Sequence, residues 1–99
     1  MRTALTTRIS THRSATLVEQ LYLRGWEAHL AVWTEPDAEG VTTAPGNWAQ
    51  QVDVTIRFAD EDRRARTVDG LSAVLVEMGY AVTELARTDS TVTLRTTRP

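Results

Sequence analysis

At 99 residues, 41% hydrophobic and 24% charged, the chain has the makeup of one soluble domain, 1–99, with a single two-layer core. Eleven basic residues against thirteen acidic ones leave a net charge of −2, the wrong sign for a protein held on nucleic acid by phosphate contacts. The lack of cysteine excludes disulfides, thiol chemistry, iron–sulfur clusters and Cys-type zinc sites.

No apolar run approaches the roughly 20 residues of a membrane span, and the first residues carry no signal-peptide block, so a cytoplasmic location without membrane contact is expected. Every basic residue is Arg and threonine is frequent. Because the arginines are scattered, this usage reads as GC-rich coding of the actinobacterial or phage kind rather than as selection for the guanidinium fork.

In chain order, Leu5, Thr7 and Ile9 alternate weakly and read as a first strand. A helix follows, capped by Ser10 or Thr11, burying Leu17, Val18 and Leu21 and stopping at Gly25. From Trp26 to Glu35 a period of two recurs, with Trp26, Ala28, Leu30 and Val32 on one face and Glu27, His29, Ala31 and Trp33 on the other. Residues 36–48, with two Pro, two Gly and a terminal Trp48, then read as a long surface loop. The alternation from Gln51 to Phe58 is cleaner, placing Val52, Val54, Ile56 and Phe58 on the core side and Asp53, Thr55 and Arg57 outside.

A second helix opens with Asp60-Glu61-Asp62, where acids suit the helix dipole, although Gly70 leaves open a start near Thr67. Its stripe is Val68, Leu71, Leu75 and Met78, and Gly79 stops it. Residues 80–87 and 91–97 form a closing hairpin around Thr88-Asp89-Ser90, with Val92 and Leu94 inward.

The halves repeat. A shift of 54 residues carries Leu17, Leu21, Gly25 and Trp26 onto Leu71, Leu75, Gly79 and Tyr80. Counting residues 5–9 as a strand gives a ferredoxin-like split βαβ repeat, βαββαβ plus a C-terminal strand. In that α+β arrangement an antiparallel sheet carries both helices on one face. Without that strand the unit is helix–strand–strand, twice.

A sheet that buries one face leaves the other for a partner. The expected outer face carries Glu27, His29 and Trp33, joined by Asp53, Thr55 and Arg57 from the next strand. A lone imidazole without a second ligand at metal spacing argues against a metal site, and the sequence calls for no cofactor. Large exposed aromatics favour interfaces, so Trp33, His29, Glu27, Arg57 and Trp48 are the expected partner-binding residues. The resulting reading is a non-enzymatic protein-binding or assembly module, homodimeric, acting through the sheet face and the 36–48 loop, with no catalytic residue. The alternative is a small enzyme or ligand-sensing domain whose pocket forms at a dimer interface. There His29 would act as base, oriented by Glu27 or Asp53, with Trp33 lining the cavity and a small molecule bound.

Overall fold

A computed structural model describes residues 2–98, with side chains from 12 to 98. Helix α1 spans Arg2–Leu23, a two-residue strand β1 covers His29–Leu30, and a 3-10 turn Ala31–Trp33 follows. Then come β2 (Gly40–Pro45), β3 (Gln51–Arg57), α2 (Glu61–Glu77), β4 (Ala81–Arg87) and β5 (Thr91–Thr97). The strands form one sheet in the order β1-β2-β3-β5-β4, antiparallel except for the β1–β2 pair.

This α+β architecture differs from the expected antiparallel split βαβ repeat at its first element, in the parallel β1–β2 pair and in its strand order. Residues 5–9 lie within α1, as do Ser10 and Thr11, so no strand precedes the helix and neither residue caps it. Leu5 and Ile9 are four apart, which suits a helix as well as an alternating strand, and five residues are too few to separate the two periods. The chain comes closer to the helix–strand–strand repeat, with the two-residue β1 added after the first helix and ahead of the first hairpin. Hairpins β2–β3 and β4–β5 lie side by side through their second strands, in a register from Gln51 opposite Thr97 to Arg57 opposite Thr91.

Both helices pack on one face, and their leucines fill a shared core. Leu17, Leu21, Leu71 and Leu75 are fully buried against Val52, Val54, Ile56, Val92 and Leu94. Equivalent turns end the two helices. Trp26 N–H donates to Leu21 O at 2.9 Å and Tyr80 N–H to Leu75 O at 3.0 Å. Gly25 and Gly79 supply the required left-handed residue at φ +84° and +96°. Asp60 caps α2 by accepting from the backbone N–H groups of Asp62 and Arg63 at 2.9 and 3.2 Å. The helix runs unbroken through Gly70, whose missing side chain is a packing requirement: a Cβ there would lie 2.7 Å from the far edge of the Trp26 indole.

Two further expectations are corrected. Within 36–48, Gly40–Pro45 is strand β2, with Val41 and Thr43 buried and Thr42 and Ala44 outward. Threonine at an inward position hides the alternation; the Thr43 hydroxyl is buried but donates to Ser14 O at 3.2 Å. Pro45 fits because β1 pairs only as far as Thr43, leaving no ladder bond for the missing N–H to make.

The strand expected over 26–35 shrinks to His29–Leu30. The Thr34 hydroxyl donates to Leu30 O at 2.8 Å and its N–H to Ala31 O at 3.1 Å, curling the chain into the 3-10 turn. Arg64 stands apart from its exposed charged neighbours Asp62, Arg63 and Arg66. It is buried, and its guanidinium donates to Phe58 O at 2.7 Å, tying α2 to the end of β3.

The outer face is polar and cross-linked. Arg95 holds Asp53 in a two-pronged contact at 2.9 and 2.9 Å, and the Thr55 and Thr93 hydroxyls meet at 3.1 Å. Both sheet edges are blunted, β1 by its length and β4 by a bulge at Glu84/Ala86 beside the Glu84–Arg87 ion pair.

Candidate functional site

The last turns of α1 carry more apolar side chains than one core stripe can use. Leu17 and Leu21 point into the core, while Val18 packs on its rim and Tyr22 and Leu23 stand 73% and 80% exposed. The turn at Gly25 then reverses the chain, and Trp26 folds back against α2 at Gly70. Between the helix end and the segment leading into β1 lies an open groove of about 1060 Å³, floored by Val18, Trp26 and Ala28 and rimmed by Tyr22, Leu23 and His29. Just past β1, the 3-10 turn exposes Val32 and Trp33, the latter by 80%.

Glu27 and His29 meet at the mouth of the groove, with Nε2 3.2 Å from the carboxylate. Both side chains are largely solvated, so the pair contributes little to stability. The same two residues border a smaller cleft of about 330 Å³ toward Phe58 and Arg63, where the Arg63 guanidinium lies 4.3 Å above the Phe58 ring. Glu39, on that cleft, accepts the Ala59 N–H at 2.7 Å and fixes the approach to α2.

The strand pattern is kept only in part. His29 sits opposite Thr42 on the row that continues to Thr55, and with Glu27 it also borders the clefts toward α1 and α2, whereas Arg57 lies at the end of β3 on that outer face. There Arg57 shares a cavity of about 120 Å³ with Thr42, Thr55 and the folded-over segment that includes Thr34 and Pro36. Asp53 is engaged by Arg95 and does not orient His29. Trp48, 71% exposed, belongs to the turn between β2 and β3, at the opposite end of the sheet from Arg57. Seven residues of β3 separate the two ends, about 20 Å at the usual rise.

Sequence reasoning passed over Tyr22 and Leu23. Their signal was the run Leu21-Tyr22-Leu23, which is wider than one helical stripe. Among the described residues no three His, Asp or Glu gather at metal-holding distance, and no helix is long and apolar enough to cross a membrane. No family model matches the chain, and no curated protein or solved structure is significantly similar to it.

Proposed function

We propose that the protein is a non-enzymatic binding module that self-associates, or captures another protein, through the apolar surface at the end of α1 and around β1. The observation that carries this reading is where its exposed apolar side chains fall. Of the seven large hydrophobic residues exposed among the described ones, Tyr22, Leu23, Val32 and Trp33 all lie between the end of α1 and the 3-10 turn. Together they expose on the order of 500 Å² of side chain, over half of the roughly 800 Å² that each partner contributes to a standard interface.

Both sheet edges are blunted, so strand addition is disfavoured and the apolar surface is the better self-association route. The expected role of Trp33 stands within this proposal. Of the expected 36–48 loop, only the part ahead of β2 remains near it.

A second reading keeps the groove but fills it with a small apolar ligand, a second copy closing the open side. The groove's volume and the Glu27–His29 pair at its mouth favour it.

Sedimentation velocity over a wide concentration range tests the proposal. A wild type that dimerises by high micromolar concentration, with Leu23→Asp and Trp33→Ala monomeric and unchanged in circular dichroism, supports it. A wild type that stays monomeric refutes self-association. Dimers unaffected by either substitution place the interface elsewhere.

A further inference from the structure

Where α1 crosses the beginning of β3, a second cavity, of about 280 Å³, opens between His12, Arg13 and Thr16 of α1, Gln50 ahead of β3, and Tyr80 and Arg98 beside the other hairpin. We propose that it binds a small phosphate monoester, with Arg13 and Arg98 gripping the phosphate and Tyr80 bordering the organic body.

Two arginines and a histidine line this cavity and no acidic side chain does, in a chain whose Asp and Glu outnumber its Arg thirteen to eleven. The ion pairs formed among the described residues, Glu27–His29, Asp53–Arg95 and Glu84–Arg87, all lie elsewhere. Arg13 is half-buried, and its guanidinium has no hydrogen-bond or ion-pair partner among the described residues. A guanidinium carries five N–H donors, and partial burial removes water from some of them. An anion in the cavity supplies the missing acceptors.

The Arg98 backbone N–H donates to Gln50 O at 3.0 Å, and its guanidinium sits 5.8 Å from the centre of the Tyr80 ring. Tyr80 is itself fixed by its N–H bond to Leu75 O in the turn that ends α2. The Arg98 backbone is thus anchored and its exposed side chain lies beside the Tyr80 ring, which lowers the ordering cost of closing on a ligand.

At roughly 25–30 Å³ per heavy atom, the cavity takes about ten, a phosphate with a small body attached. Two guanidinium forks match the several oxygens of a phosphate dianion, whereas a monocarboxylate satisfies only one fork. The net charge of −2 and the scatter of the other arginines disfavour a nucleic-acid backbone as the source of the phosphate.

Backbone amide NMR titrations of the full chain at constant ionic strength test the site, with phenyl phosphate, inorganic phosphate and benzoate as probes. The expected result is a saturable shift confined to the amides of Arg13, Thr16, Gln50, Tyr80 and Arg98. Phenyl phosphate should bind more tightly than inorganic phosphate, and benzoate more weakly than either. Arg13→Gln and Arg98→Gln should each weaken phenyl phosphate roughly fivefold to tenfold, as loss of one charged contact does. Arg66→Gln, on the exposed side of α2, should leave it unchanged.

Non-saturating shifts spread over all exposed arginines in the wild type would overturn the proposal without recourse to any variant. Benzoate binding as well as phenyl phosphate would overturn the phosphate assignment. A short RNA or DNA strand outcompeting phenyl phosphate at these amides would overturn the small-ligand assignment. None of these outcomes bears on self-association at the other end of the molecule.

Discussion

Replacing Gly70 with alanine sets two effects of opposite sign against each other. In a free helix surface the change gains about 1 kcal/mol, because glycine is the more costly residue to order. In this protein the new Cβ would lie 2.7 and 2.9 Å from two atoms of the Trp26 indole, well inside van der Waals contact. The indole must move away from α2, yet it packs against the buried core and follows directly on the Gly25 turn. Overpacking of this kind costs about 1–3 kcal/mol, so the net expectation is a loss of up to about 2 kcal/mol in place of a gain.

Urea unfolding followed by far-ultraviolet circular dichroism, on wild type, Gly70→Ala, Trp26→Leu and the double variant, isolates the contact. In the Trp26→Leu background the clash is gone and Gly70→Ala should stabilise by about 1 kcal/mol, giving a coupling of about 1–3 kcal/mol. Equal stabilisation by Gly70→Ala in both backgrounds would show that the indole does not rest on α2 and would refute the packing argument.

Ile56 is fully buried on β3, the middle strand of the sheet, opposite Val41 and Val92, so Ile56→Asp should leave the chain unfolded at neutral pH by circular dichroism. The unpaired carboxylate costs several kcal/mol of a total near 5–15 kcal/mol, whereas Thr55→Asp on the outer face should remain folded. Arg64→Ala removes the partner of the Phe58 carbonyl together with a buried stem, and should cost about 1–3 kcal/mol in urea unfolding. Arg63→Ala, from an exposed position over the Phe58 ring, should cost less than about 1 kcal/mol.

The Arg87 hydrogen bonds hold the Glu84 carboxyl below the usual glutamate range. A depressed pKa contributes stability above the unfolded-state value and loses it as pH falls through the folded-state value. A small difference in melting temperature between wild type and Glu84→Gln should therefore be present at neutral pH and vanish in acid. A difference that grows on acidification would contradict the pairing.

The sequence by itself determined the elements whose signal is local. The spacing of Leu17, Leu21, Leu71 and Leu75 set the buried stripe of each helix, because side chains four apart share a face whatever surrounds them. Gly25, Gly79 and Asp60 marked helix ends through backbone geometry and hydrogen-bonding capacity that belong to single residues. The alternation of Val52, Val54 and Ile56 fixed the core face of β3 in the same way. The turn at Thr88–Ser90 likewise announced the closing hairpin, where the Thr91 N–H donates to the Thr88 hydroxyl at 3.1 Å.

Tertiary structure decided everything that depends on which distant groups meet. Strand β2 reads as loop because its inward Thr43 looks polar until Ser14 accepts its hydroxyl across 29 positions of chain. Gly70 reads as a helix weakness until Trp26 occupies the space it leaves. Residues 5–9 carry a pattern that two periods fit equally well, and the described chain resolves them as helix. Trp33 loses its expected place on the outer sheet face because the chain after Leu30 curls into a 3-10 turn instead of extending, whereas His29, ahead of the curl, keeps its row opposite Thr42. Arg13 and Arg98, near opposite ends of the sequence, border one cavity only because β5 returns the chain beside β3. Periodicity reports which way a side chain points from its own backbone; what it points at is set by long-range packing, and the sites of this protein are made of such encounters.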